Sequence, residues 1–159
     1  MRLDQLDARI ITLMTEEPRI GLLEVSRRLG VARGTVQARF QRLLTCGVIT
    51  SLAPTVDPAA IGYSVQGFVT AEIAQGKRQG GVITHLLGIP EVLEVHTTTG
   101  PGDLLIRVVA LSNRDLQRVI DKVVEYPDIL RTSTVIILES SIEPRTLPLV
   151  QAAVSSSQG

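Results

Sequence analysis

A helix that stops at Gly30, followed by another that starts two residues later, constrains this chain more than any other feature. Leu22, Val25 and Leu29 share one helical face, and Gly30 is the residue best able to take the left-handed conformation of a helix exit. Only Val31 and Ala32 intervene before Val36, Phe40, Leu43 and Leu44 recur at i, i+4, i+7 and i+8, a single stripe suited to a core. Upstream, Leu6, Ile10, Leu13 and Met14 predict a helix over residues 3–14, with Asp4 as its cap, Asp7 at its third position and Pro18 ending the region. Two helices joined by so tight a turn, propped on a third, make a helix-turn-helix pattern whose later helix enters a major groove.

The outer arc of that later helix carries Gly34, Thr35, Gln37, Ala38, Gln41 and Arg42, with Arg39 at the flank, Arg33 in the first turn and no acid among them. A solvated helix face ordinarily mixes Glu with Lys or Arg. A face of only positive and neutral hydrogen-bonding groups fits nucleic-acid contact or a merely basic surface. The formal net charge of +0 hides a split that bears on the choice. Residues 1–53 hold eight arginines against five acids, and residues 54–159 hold eight Lys or Arg against eleven acids. A basic half joined to an acidic one is the footprint of a phosphate-binding module attached to a module with another job.

At 159 residues and 44% hydrophobic content, the chain has enough apolar material for one core or two small ones. No run approaches the about 18 apolar residues of a membrane span, and the N-terminus reads as a charged helix, so the expectation is a cytoplasmic protein without membrane partners. Cys46 stands alone and is expected to pack at a helix end, with His85 and His96 far from it in sequence, so neither a disulfide nor a metal cluster is expected. After Gly47, "VITSLAPTV" supplies β-prone pieces for a small wing, and Pro54 and Pro58 mark a hinge.

The second half changes rhythm. Residues 64–73 alternate as a strand, with Val65, Val69, Ala71 and Ile73 on one face and Gln66, Thr70 and Glu72 on the other. "AQGKRQGG" reads as a loop, Val82, Ile83, Leu86 and Leu87 as a helical stripe, and residues 92–98 and 104–108 as two further strands. Ser112 with Asp115 resembles a capping box before the apolar stripe Leu116, Val119, Ile120, Val123 and Val124, and "ILRTSTVIILE" is a last strand. The order β-α-β-β-α-β is the ferredoxin-like plan, which makes the whole chain an α+β protein. Val95, Leu105, Val109, Val135 and Ile137 are expected on the sheet face that the helices leave open; an uncovered apolar face marks an interface, hence a dimer is expected.

These residues together resemble the Lrp/AsnC family of bacterial and archaeal transcription factors. The resemblance runs through "LDQLDARIITLMTEEPRIGLLEVSRRLGVARGTVQARFQRLLTCGVI", "TVDPAAIGY", "TTTGPGDLLIRVV" and "RTSTVIIL". It implies a winged helix-turn-helix domain over residues 1–52, a hinge over 53–63 and a RAM (ACT-like) effector and oligomerisation domain over 64–147; beyond it, the small, polar "VSSSQG" makes residues 148–159 a flexible tail by composition. It also implies double-stranded DNA as partner, a nucleoid-associated location, and a homodimer assembling into a tetramer or octamer under a small effector, usually an amino acid. Carried over by position, Arg33, Gly34, Thr35, Gln37, Ala38, Arg39 and Arg42 lie on or beside the recognition helix, and Arg27 and Arg28 either grip phosphate or are solvated. Ala32 departs from the family's usual Ser cap, and Ala38 leaves Arg39 without a paired basic neighbour. The effector turn maps to "TGPGDL", that is Thr99, Gly100, Gly102, Asp103 and Leu104, with Thr132 and Thr134 reaching it from a neighbouring subunit. Glycine N–H groups suit a carboxylate and Asp103 an α-ammonium or a basic side chain; Gly102, where many relatives carry a larger residue, implies a pocket that is wider, unusual in its ligand, or empty.

A sequence-specific regulator answering to such an effector is the reading these features favour, against an architectural DNA-binding protein of little selectivity. No catalytic residues are assigned, because the reactive side chains do not converge and "GPG" does not lead into a helix as a dinucleotide loop does. No cofactor is expected.

Overall fold

In the computed structural model, which describes residues 2–74 and 80–155, Asp4 opens α1 (Gln5–Glu16) with a reciprocal capping box. The Asp7 N–H donates to Asp4 Oδ1 at 2.9 Å and the Asp4 N–H donates to Asp7 Oδ2 at 3.1 Å. α2 (Leu22–Leu29) ends at Gly30 with φ 67°, a left-handed exit that costs a residue with a Cβ more than it costs glycine. α3 (Arg33–Thr45) starts after Ala32 with no side-chain cap. Ile10, Val25, Val36 and Leu43, each 0% exposed, knit the three helices together.

Two sequence expectations about this module are corrected. Residues 48–57 contain no strand, so no β-wing forms; Val48 and Ile49 donate instead to the Leu43 carbonyl, folding the β-prone stretch back on the end of α3. Cys46 is the C-cap of α3 but is exposed, not packed. The expected flexible tail at 148–159 is corrected as well. Leu147–Ser155 forms α6, which packs on α1 and buries Val154 to 4% exposure. Leu147, Val150 and Val154 lie at helical spacing, and Pro148 falls in the first turn, where a missing N–H costs nothing. The four residues beyond Ser155 lie outside the described part. The chain accordingly divides into one unit of Met1–Pro54 with Ile142–Gly159 and another of Thr55–Ser141.

The second unit begins with a single 3-10 turn, Ala59–Ile61, in the hinge. Its elements are β1 (Val65–Ile73), α4 (Gly80–Leu87), β2 (Val92–Thr97), β3 (Leu104–Ala110), α5 (Asn113–Val124) and β4 (Ile129–Ile137). Of the loop expected over "AQGKRQGG", residues 75–79 lie outside the described residues, and Gly80 and Gly81 already belong to α4. The strands form one antiparallel sheet in the order β2-β3-β1-β4, the ferredoxin-like arrangement. Opposed residues share a face. Val69 with Ile106 and Ala71 with Leu104 therefore point to the same side, where they meet Leu86, Leu116 and Val119 of the two helices.

The other face carries Phe68, Leu105, Val109, Val135 and Ile137 by the same register. Val95 was expected there and is not. A register shift between Val92 and Glu94 sets Val95 opposite Ile106, so it packs on the helix side.

Glu91 closes this core at one edge. It is 7% exposed, and Arg118 Nη2 donates to its Oε1 at 2.6 Å. The bond from Arg118 holds the Glu91 carboxyl below its ordinary range despite burial; Arg118 and the Leu111 N–H do the same for Asp115. A carboxylate titrating lower in the folded than in the unfolded chain stabilises fully above the unfolded value, about 4, and loses that contribution as pH falls through the folded one. The thermal midpoint of Thr55–Ser141 should hold steady at neutral pH and fall below about pH 4, less steeply in Glu91→Gln. A midpoint unmoved by acid in the wild type contradicts this.

Candidate DNA interface and effector cleft

α3 turns Val36 and Leu43 inward at 0% exposure and leaves Arg33, Gly34, Thr35, Gln37, Ala38 and Gln41 exposed. Arg33 has no acidic partner among the described residues. Small residues at 34 and 38 on one arc let the helix backbone approach another surface closely, and Gln37 offers both donor and acceptor. The surface is therefore shaped and charged as a groove-reading helix.

Arg39 and Arg42 sit differently from the other residues expected at this surface. Arg39 Nη1 donates to Asp4 Oδ2 and, at 3.1 Å, to Asp7 Oδ1; Arg42 Nη2 donates to Asp7 Oδ2 at 2.6 Å. The Asp7 side chain is 0% exposed, so the two guanidiniums are the counter-charges that let a carboxylate lie between α1 and α3. The bond from Arg39 holds the Asp4 carboxyl below its usual range, helped by the Asp7 N–H. Sequence reasoning missed Asp7 in this role. The signal was present, since two acids three residues apart match two arginines three residues apart. On α2, Arg28 donates to both Glu17 and Glu24, whereas exposed Arg27 reaches, among the described residues, only Glu24, at 3.7 Å.

The "TGPGDL" turn is tied down by its own backbone. Thr98 N donates to the Asp103 carbonyl at 3.0 Å, Asp103 N to the Ala71 carbonyl at 2.9 Å, and Thr98 Oγ1 to the Gly102 carbonyl at 3.1 Å. Gly100 has φ 120°, which favours glycine; Thr99 is exposed. Asp103 is exposed, and its Oδ2 accepts from Ile73 N at 2.8 Å, so one carboxylate oxygen latches the end of β1. The expected widening at Gly102 is absent: a Cβ there would meet Thr70 Cγ2 at 3.1 Å and the Ala71 carbonyl oxygen at 3.2 Å, so Thr70 already fills the space. Leu104 is 0% exposed in the helix-side core.

Beside the turn lies a cleft of about 260 Å³ lined by Thr70, Glu72, Pro101, Arg131, Thr132 and Ser133. Glu72 stands opposite Arg131 across the β1–β4 ladder, and neither has an ion-pair partner among the described residues. Thr132 reaches this cleft from the same chain; Thr134, opposite Val69, does not line it. The polar alternation Thr70–Glu72 was legible in the sequence, but its pairing with Arg131 and Ser133 depends on a strand register that no local pattern prints.

A three-helix module with an acid-free exposed helix, joined to an antiparallel sheet domain with a polar cleft at its strand ends, defines a DNA-binding regulator with a ligand-binding half. More specifically, the chain belongs to the Lrp/AsnC family of transcriptional regulators. The Lrp/AsnC ligand binding domain matches residues 66–147, and the AsnC-type helix-turn-helix domain matches residues 3–44. The HTH-type transcriptional regulator FL11 of Pyrococcus horikoshii is 31% identical over 147 residues, 92% of this chain and 97% of that protein. Regulatory protein AsnC of Escherichia coli K12 is 30% identical over 141 residues, covering 88% and 93%. The solved structure of E. coli AsnC superposes with a TM-score of 0.85 at 28% identity, over 93% of this chain and all of that one. A Neisseria meningitidis transcriptional regulator in complex with L-Met shares the fold, with a TM-score of 0.82 at 21% identity over 94% and 99% of the two chains.

Proposed function

We propose that α3 reads a major groove through Arg33, Gly34, Thr35, Gln37 and Ala38, with Arg27 on a phosphate, and that a zwitterionic amino acid in the Glu72–Arg131 cleft tunes this binding. The observation that carries the DNA half is the outward arc of α3, exposed throughout and free of acids. The cleft supports the effector half: Glu72, without an ion-pair partner among the described residues, suits an α-ammonium, Arg131 suits an α-carboxylate bidentately, and about 260 Å³ suits a small side chain. The Neisseria complex makes L-Met the first compound to try. Arg39, Arg42 and Arg28 support the module through their carboxylates, and Asp103 shapes the cleft by holding β1.

The open sheet face, with Phe68, Leu105, Val135 and Ile137, is the surface on which two copies pair, and pairs then build larger assemblies; Val109, 3% exposed, is already covered within the chain. Two recognition helices per dimer address two half-sites. The effector acts by binding one assembly or DNA-competent state better than another.

A selection of duplexes from a random pool, followed by anisotropy titration, tests the DNA half. Arg33→Ala and Gln37→Ala should each lose about 5- to 150-fold in affinity for the selected site, about 1–3 kcal/mol, with unchanged melting. A thermal-shift screen of the twenty amino acids tests the other half: one or more should raise the midpoint by mass action, and Arg131→Ala should abolish the rise. Wild-type affinity in both α3 variants defeats the groove assignment, and a ligand response intact in Arg131→Ala moves the effector elsewhere.

A further inference from the structure

Arg39 is claimed twice, and the two claims differ. Its inner bond goes to Asp7, whose side chain is 0% exposed; its outer bond goes to Asp4, whose side chain is 47% exposed. Asp7 holds its second arginine, Arg42, at 2.6 Å, so the inner pairing has two guanidiniums and the outer one has a single solvent-facing carboxylate. Asp4 also has a structural task, since its Oδ1 caps α1 through the Asp7 N–H. Only its Oδ2 faces Arg39. A helix lying in a groove about 12 Å wide has phosphates along both flanks, and Arg39 lies on a flank of α3, with 30% of its side chain exposed.

We propose that Asp4 Oδ2 is an internal stand-in for a DNA phosphate, occupying Arg39 in the free protein and giving way when a duplex reaches α3. The inference rests on α3 being the DNA-facing helix. On DNA, Arg39 keeps its bond to Asp7 and exchanges its outer acceptor, Asp4, for a phosphate oxygen of the same charge. The contact thus sets a threshold: part of the charge on the recognition helix is withheld until a backbone competes for it. Solvent exposure of the pair makes it weak enough to be displaced, whereas the buried acceptor fixes where the guanidinium waits. Asp4 is in this sense a positioning residue for the DNA interface.

Asp4→Asn isolates the idea, because Asn caps a helix about as well as Asp while replacing the outer oxygen by an NH2 that cannot accept from Arg39. The probe is a fluorescein-labelled random-sequence duplex, titrated by anisotropy across a salt series with the full chain. Asp4→Asn should bind more tightly with the slope of log K against log salt unchanged, because Arg39 meets a phosphate in both complexes, whereas Arg39→Gln should flatten that slope by about 0.9 for each recognition helix engaged. In an Arg39→Gln background the same substitution should change neither quantity. A wild-type affinity in Asp4→Asn, a gain that persists without Arg39, or a wild-type slope in Arg39→Gln overturns the proposal. Should Arg39→Gln not fold, Glu16→Gln decides: Glu16 is exposed on the same helix without an ion-pair partner among the described residues, and an equal gain there reduces the effect to net charge. Loss of affinity in Arg33→Ala and Gln37→Ala, measured beside these, shows separately whether α3 faces DNA at all.

Discussion

Replacing Arg39 and Arg42 together by alanine should unfold the helix-turn-helix unit more than it should alter any single DNA contact. The Asp7 carboxylate then lies buried between α1 and α3 with the Asp4 N–H as its remaining hydrogen bond among those described. Stranding a buried charge by removing its partners costs about 3–5 kcal/mol, and the lower end applies because both arginines are partly exposed and water can enter where they were. Even about 3 kcal/mol is a large share of the 5–15 kcal/mol that holds a domain together. Urea denaturation followed by circular dichroism should show the midpoint falling sharply in the double variant. Each single substitution should cost less, since one guanidinium remains. Adding Asp7→Asn to the double variant should recover much of the loss, because the amide keeps an acceptor for the Asp4 N–H and removes the charge. A double variant as stable as wild type would show that Asp7 does not depend on these arginines.

The same pair of arginines shows where sequence reading reaches and where it stops. Helical periodicity put Val36 and Leu43 inward and Arg42 outward, and the structure agrees, because a period of 3.6 depends only on the helix itself. What an outward side chain meets depends on a neighbouring helix, and the arrival of Asp4 and Asp7 beside Arg39 and Arg42 is a tertiary fact. The sheet repeats the lesson. Alternation separated Thr70 and Glu72 from Val69 and Ala71, and the Ser112 cap placed the start of α5. The offset between Val92 and Glu94, by contrast, sent Val95 to the side opposite the one its parity suggested. The cleft lay beyond reach for the same reason, as it joins residues from β1 and β4 that only register makes neighbours. In α6, polar composition at the end of the chain outweighed three apolar residues at helical spacing, and the apolar residues decided the structure.

Leu104→Ala should cost the sheet domain about 2–5 kcal/mol while leaving the folded protein able to bind its effector. The resemblance to the family's "TGPGDL" turn put Leu104 among the effector contacts, but the first residue of β3 follows strand alternation. Asp103 points out to the Ile73 N–H, and Leu104, opposite Ala71 and Thr97, points into the core at 0% exposure. Deleting its methyls leaves a cavity under the helices, and neighbours fixed in a four-stranded ladder have little freedom to close it. At about 4–8 °C per kcal/mol for a domain of this size, the thermal midpoint should drop by about 8 °C or more. Arg131→Ala gives the opposite pattern. Its side chain is exposed and unpaired among the described residues, so the stability should stay within about 0.5 kcal/mol of wild type while the ligand-induced rise of the midpoint disappears. Measured side by side, the two variants separate the residue that holds the domain from the residue that meets the ligand. A Leu104→Ala protein that melts like wild type yet ignores every ligand would return Leu104 to the effector site and empty the proposed cleft of its role.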